Sequence, residues 1–280
     1  MQAALVLARR GLGNVWPNPA VGCVLVQPGS GGGRVVGRGW TQPGGRPHAE
    51  TEALARAGAA AKGATAYVTL EPCSHHGKTP PCADALIDAG ISRAVVALED
   101  PDKRVSGAGI AALRAAGIPT EVGLLGEAAA ALNAGFLLRV REGRPFVTLK
   151  LATTLDGRIA TASGESRWIT GEVARDWAHG LRAGHDAVMV GIGTALVDDP
   201  ELVCRLPGLP LRPTVRIVVD SALRLPVGSR LVQGTAQAPL WIVAASEVEF
   251  RRREALEAAG AEIIGVGADP RGRPDIGATL

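Results

Sequence analysis

Three short segments, His48-Ala49-Glu50, Pro72-Cys73 and Pro81-Cys82, constrain the fold of this 280-residue chain more than any other feature. One imidazole and two thiolates are a typical catalytic zinc set, in which three protein ligands leave a fourth position for water. Zinc brings the pKa of such a water to about 7, so hydroxide is available at neutral pH. Glu50 is then the proton shuttle rather than a ligand, the H-x-E…P-C arrangement of zinc deaminases acting on nucleobase-like rings. The fold must therefore bring His48, Cys73 and Cys82 to one point. Residues two apart on a helix diverge by about 200°, so His48 and Glu50 share a site only if His48 stands at a helix mouth. Pro47 marks that boundary, and Pro81 marks another before Cys82. Free N–H groups at a helix start favour a thiolate.

Composition narrows the alternatives. A disulfide framework is not expected from four cysteines, Cys23, Cys73, Cys82 and Cys204, over this length. A purely structural zinc site would take a fourth ligand, with His75 or His76 as candidates. Residues 1–143 hold 14 basic and 11 acidic side chains and residues 144–280 hold 16 of each. Neither half has the concentrated positive charge of a nucleic-acid binder. Arginine outnumbers lysine 26 to 4, which draws attention to Lys78 and Lys150. No apolar run is long enough to span a bilayer and the N-terminus lacks the order of a signal peptide, so a soluble, cytoplasmic protein is expected.

Strand and helix signals alternate along the chain. Helices are expected at residues 1–10, 49–61, 82–89, 110–116 and 127–140, and strands at 20–27, 34–40, 65–70, 94–99 and 120–124, the first two as a hairpin. Residues 141–145 read as a linker. Beyond it, strands are expected at 146–152, 187–190, 214–220, 240–245 and 262–266, helices at 173–181 and 248–259, and a further helix from residue 275. Such alternation argues for layered α/β domains, divided as 1–143 and 144–280.

Eight residues separate Cys73 from Cys82, where the familiar deaminase spacing is two. The insert makes a loop at the mouth of the metal site, and its His75, His76, Lys78 and Thr79 are donors for a phosphate or a sugar hydroxyl. The run 63–82, with Pro17-Asn18-Pro19-Ala20-Val21-Gly22 and Pro47-His48-Ala49-Glu50, resembles the deaminase domain of the bifunctional riboflavin-biosynthesis deaminase–reductase family. The resemblance implies a three-layer, cytidine-deaminase-like fold and a diaminopyrimidinone substrate bearing a phosphoribosylamino group, deaminated to an aminouracil. It implies zinc on His48, Cys73 and Cys82, Glu50 as proton donor, and Asn18, His76 and Lys78 as substrate contacts.

The second half says less by itself. Gly191-Ile192-Gly193-Thr194 invites a dinucleotide reading, but residue 196 is Leu and the G-x-G-x-x-G fingerprint fails. Lys150 falls inside an expected apolar strand, where it snorkels outward or serves a site, and Asp198-Asp199-Pro200 reads as a turn. The segments 150–158, 162–166 and 168–170, with Gly193-Thr194 and Asp198-Asp199-Pro200, resemble the same family's reductase domain; Thr154 stands where the family has Ser. That implies a dihydrofolate-reductase-like fold using NADPH to reduce the ribosyl group of the aminouracil. Ala152, Trp168, Thr194, Asp198 and Ser221 then lie along the cofactor, and Ser166, Arg182, Leu202 and Arg205 face the substrate, the arginines suiting its phosphate. The family's closing Gly-rich segment has no counterpart before Leu280, so the expectation is an incomplete reductase domain, with full deaminase activity and impaired reductase activity. Family members associate through the reductase domain, so a homo-oligomer is expected. Two other classes share the zinc chemistry, a nucleic-acid-editing deaminase and a non-catalytic zinc scaffold. Cysteine spacing, charge and the reductase-like half disfavour the first, and Glu50 discriminates the second.

Overall fold

A computed structural model of the chain describes residues 1–30, 32–75, 80–166, 168–209, 214–245 and 248–280. The expected substrate contacts His76 and Lys78 lie outside the described residues. The chain divides into two compact units, Met1–Phe146 and Val147–Leu280.

In the first unit α1 (Gln2–Ala8) buries Ala4, Leu5, Leu7 and Ala8. The strands β1 (Gly22–Gln27) and β2 (Arg34–Trp40) form the expected antiparallel hairpin. Then follow α2 (Ala49–Ala57), β3 (Thr65–Val68), α3 (Cys82–Asp88), β4 (Arg93–Val96), α4 (Ala108–Ala115) and β5 (Thr120–Val122). The sheet runs β2-β1-β3-β4-β5; β1 is antiparallel to both neighbours, and β3, β4 and β5 are parallel. Cys23, Leu25, Ala53, Val68, Leu70, Leu86 and Leu113 are among the residues of its main core.

Glycines set how closely helices lie on this sheet. A Cβ at Gly22 would stand 1.9 Å from the carbonyl oxygen of Ala4, and Cβ atoms at Gly37 and Gly39 would stand 2.2 and 2.0 Å from those of Ala53 and Ala49. Here a strand glycine marks backbone-to-backbone approach, and it seats α2, which opens with the site residues, directly on β2.

The single helix expected at 127–140 is two, α5 (Gly126–Leu132) and α6 (Ala134–Glu142). They part at Asn133, whose side chain is buried and pairs with a distant backbone: Ala20 N–H donates to its Oδ1 at 2.9 Å, and its Nδ2 donates to the Ala20 carbonyl at 3.0 Å. An asparagine competing for backbone partners interrupts a helix, and this one fastens the segment after Asn18.

The second unit comprises α7 (Glu172–Ala183), β6 (Ala187–Gly191), α8 (Ile192–Asp198), β7 (Val215–Val219), α9 (Arg230–Gln233), β8 (Leu240–Ala245), α10 (Phe250–Ala258), β9 (Glu262–Val266) and α11 (Ile276–Thr279). Its sheet, β6-β7-β8-β9, is parallel throughout, and Val218, Leu231, Leu240, Ile242 and Leu256 are at its core. The strand expected at 146–152 does not form. Its alternating apolar residues have no cover, with Leu149 79% and Leu151 66% exposed. Alternation makes a strand only where another strand pairs with it. Lys150 accordingly stands on an exposed, irregular segment rather than within an apolar strand.

Candidate metal centre and its surroundings

His48 is the N-cap of α2, with extended backbone, and Glu50 follows in the first turn, only 3% exposed. Pro81 is the N-cap of α3, so Cys82 is its first helical residue. Cys73 lies on the loop that leaves β3. Its carbonyl accepts from Ala83 N–H at 3.1 Å and its Sγ accepts from Cys82 N–H at 3.3 Å, which ties the loop to the start of α3. His48 Nδ1 is 3.6 Å from Cys73 Sγ and 3.3 Å from Cys82 Sγ, and the three donor atoms lie within 4.8 Å of one another. Zinc with Zn–S near 2.3 Å and Zn–N near 2.05 Å in a tetrahedron places N and S about 3.6 Å apart. The residues fit that ion.

The electrostatics agree with the donor set. A hydrogen bond from the Cys82 thiol, joined by His48 and the Cys82 N–H, draws the Cys73 thiol down to about 4. The same hydrogen bond raises Cys82, which keeps the proton. Burial pushes Glu50 up to about 7; the Cys73 charge adds to the rise and His48 opposes it. A carboxyl group poised near neutrality can both accept and return a proton. Thr51 Oγ1, 4.0 Å from Cys82 Sγ, adds a contact that residue-type reasoning did not single out.

Asn18 donates through Nδ2 to the Gly45 carbonyl at 2.9 Å, three residues before His48. Gly45 has φ +81°, and a Cβ there would stand 2.1 Å from Asn18 Nδ2. Asn18 is thereby held against the segment that leads into the metal ligands. His75 has a buried Nδ1 with no partner among the described residues.

In the second unit the structure brings Arg182 and Arg205 together. Arg182, at the end of α7, is half-buried and donates to the Val203 carbonyl at 3.4 Å. Burial and the Arg205 charge both lower its pKa. Arg205 N–H donates to His179 Nδ1 at 3.3 Å, and its guanidinium pairs with Glu201 at 3.0 Å. His179 went unnoticed in the sequence, although it precedes Arg182 by one helical turn. Leu202 is buried with φ +55° and turns the chain between these groups. Thr194 and Ser221 follow the ends of the adjacent parallel strands β6 and β7, whose last pair is Gly191 and Val219. In open α/β sheets ligands bind at that edge. Asp198 ends α8, Trp168 stacks on Arg175 at 4.4 Å, Ser166 is exposed and Ala152 is half-buried.

Comparison with known proteins gives both units relatives. Residues 1–98 match the cytidine and deoxycytidylate deaminase zinc-binding region, and residues 145–272 match the RibD C-terminal domain. The riboflavin biosynthesis protein RibD of Bacillus amyloliquefaciens is 44% identical over 276 residues, 99% of this chain and 73% of that protein. The chain belongs to the RibD family. The Escherichia coli RibD is 49% identical over 244 residues, 83% of this chain and 65% of that protein. The RibD structure from Acinetobacter baumannii (form 2) superposes with a TM-score of 0.81 at 40% identity, covering 95% of this chain and 72% of that one. A Thermotoga maritima deaminase/reductase superposes with a TM-score of 0.80 at 37% identity, covering 96% and 80%. As a RibD-family enzyme the chain carries a zinc-binding deaminase domain and a reductase domain that uses NADPH, and it serves riboflavin biosynthesis.

Proposed function

We propose that residues 1–143 deaminate 2,5-diamino-6-(5-phosphoribosylamino)pyrimidin-4-one by hydrolysis. Residues 144–280 then reduce the ribosyl group of the resulting 5-amino-6-(5-phosphoribosylamino)uracil with NADPH. The observation that carries this reading is three donor atoms within 4.8 Å of one another, at the start of the helix that holds the buried Glu50. Zinc held by His48, Cys73 and Cys82 supplies Lewis acidity and makes a water acidic near neutral pH. Glu50 takes a proton from the water and places it on the ring nitrogen beside the amino-bearing carbon. As that proton is moved, the water oxygen bonds to the amino-bearing carbon; Glu50 then passes the remaining hydroxyl proton to the exocyclic nitrogen, the C–N bond breaks to release ammonia, and the carbon keeps the oxygen as a carbonyl. Asn18, His76 and Lys78 hold the substrate. In the reductase half Arg182 and Arg205 take the phosphate, Ser166 and Leu202 complete that surface, and Ala152, Trp168, Thr194, Asp198 and Ser221 receive NADPH.

The same reading makes the protein a cytoplasmic homo-oligomer with no nucleic-acid partner. Its free cysteines suit a reducing compartment. The exposed Leu149, Leu151, Val173 and Trp177 support self-association, and the balanced charge of both halves disfavours a polyanion. The test of the deaminase assignment is Glu50→Gln in zinc-loaded protein. Ammonia release from the diaminopyrimidinone should fall by about 10²–10⁴-fold with one zinc still bound. A variant that keeps its rate would make Glu50 dispensable and the zinc structural.

A further inference from the structure

We propose that Glu71 is a positioning residue for the metal centre. Its carboxylate, clamped by four backbone N–H groups at and before the start of α4, fixes the path of Pro72 and Cys73. This rests on the three-ligand zinc reading above and concerns a side chain outside the ligand set.

Glu71 is 4% exposed and faces no lysine or arginine in any hydrogen bond or ion pair among the described residues. Its charge is met by backbone alone. Gly109 N–H and Ile110 N–H donate to Oε1 at 2.9 and 3.2 Å. Gly107 N–H and Asp100 N–H donate to Oε2 at 2.9 and 3.1 Å. The N-cap of α4 is Gly107, which has no side chain with which to cap the helix. The helix-start N–H groups need partners, and a carboxylate more than thirty residues earlier in the chain supplies them. Two further contacts lock the same junction. Glu71 N–H donates to the Leu98 carbonyl at 2.9 Å. A Cβ on Gly109 would lie 2.0 Å from the Pro72 carbonyl oxygen, so α4 sits directly against the residue that precedes Cys73.

A ligand must be held in place before the metal arrives if affinity is not to be lost in ordering it. Cys73 has no regular element of its own. Downstream it is tied to α3 through Ala83 N–H and Cys82 N–H. Upstream its anchor is Glu71. Replacing Glu71 by Gln keeps size and shape but turns one acceptor into an NH2 group. Whichever way the amide faces, that NH2 meets two N–H donors and cannot accept from either. The pair left unpaired is either the first turn of α4 or the loop at residues 100 and 107.

The experiment measures zinc affinity, separately from turnover, by competition with a chromogenic chelator. Wild-type protein should bind one zinc, which checks the ligand reading independently. Glu71→Gln should still reach one zinc at saturation, with a dissociation constant raised about 10- to 100-fold. A folded Glu71→Gln protein with a constant within twofold of wild type would overturn the proposal. A second measurement uses wild-type protein alone, so it holds even if the variant does not fold. Because coupling between sites is reciprocal, added zinc should slow amide hydrogen exchange at Gly107, Gly109 and Ile110. Exchange at these amides that is indifferent to zinc would equally overturn it.

Discussion

Replacing Gly39 by alanine tests the link between packing and chemistry. Gly39 lies on β2 opposite Cys23 of β1. An added Cβ would stand 2.0 Å from the carbonyl oxygen of Ala49, 2.6 Å from the nitrogen of Ala53 and 2.8 Å from the Cβ of Glu52. Two of these atoms are helix backbone and cannot swing aside. Ordinary contact begins at 3.4 Å, so relief needs 3.4 − 2.0, or 1.4 Å, of retreat by the start of α2. Ala49 lies between His48 and Glu50, and both must travel with it. Overpacking of this kind costs about 1–3 kcal/mol, which corresponds to a fall in Tm of roughly 3–10 °C. A displacement near 1 Å at reacting groups lowers turnover by about 10²-fold. Gly39→Ala should therefore lose about 10²-fold in turnover at a temperature where it is still folded. Scanning fluorimetry and ammonia release at saturating zinc read the two effects separately. Wild-type turnover in the variant would show that close seating of α2 on β2 does not place Glu50.

Asp100 makes a prediction about pH. Burial pushes its carboxyl up from 3.8 to about 6; Asp102 and Glu71 add to the rise, while the Asp102 N–H and Arg104 oppose it. Between these values the folded state binds more protons than the unfolded one, so stability falls as pH rises through the window and stays reduced above it. Asp100→Asn keeps the Oδ1 that accepts from Asp102 N–H at 2.9 Å and removes the buried charge. It should raise stability at pH 7.5 by at most about 3 kcal/mol, with the gap closing towards pH 4. Denaturant melts across pH check this, and a difference that does not change with pH would contradict it. In the reductase half, Arg205→Ala removes a charged donor from the pair with Arg182. The Kd for the aminouracil should rise about 10- to 100-fold, measured by titration calorimetry without turnover; an unchanged Kd would place the phosphate elsewhere.

The metal centre was legible because its residue types carry their own chemistry and the prolines mark where helices begin. His48 as N-cap and Cys82 as first helical residue follow from Pro47 and Pro81 without knowledge of the rest of the fold. What stayed hidden depends on pairs far apart in sequence. The break at Asn133 exists because of Ala20, 113 residues away; the visible hint was an asparagine in the middle of an expected helix. The segment 146–152 shows the opposite failure. Its alternation is real, but a strand also requires a pairing edge, which periodicity does not report. Glycines 37 and 39 lie inside the expected strand at 34–40, and their use as seats for α2 appears only once the helix is placed. Glu71 carries no signal in the sequence, because its four partners lie between 29 and 39 residues further on.

Charge explains why these parts belong together. His48 and Cys82 stand at helix starts, and Cys73 leaves the end of β3, where loops converge above parallel strands. Two thiols and the Glu50 carboxyl share this half-buried to buried space. Full ionisation there without a cation would be prohibitive. The hydrogen bond to Cys73, together with burial, raises the Cys82 thiol, and burial raises the Glu50 carboxyl. A divalent ion held by His48, Cys73 and Cys82 would stabilise both thiolates, and binding it would release thiol protons. Glu71, equally buried, needs no cation because four backbone N–H groups already satisfy it. The two carboxylates thus divide the work by environment: Glu71, saturated with donors, is fixed and structural, whereas Glu50, in the first turn of α2, remains available to move a proton.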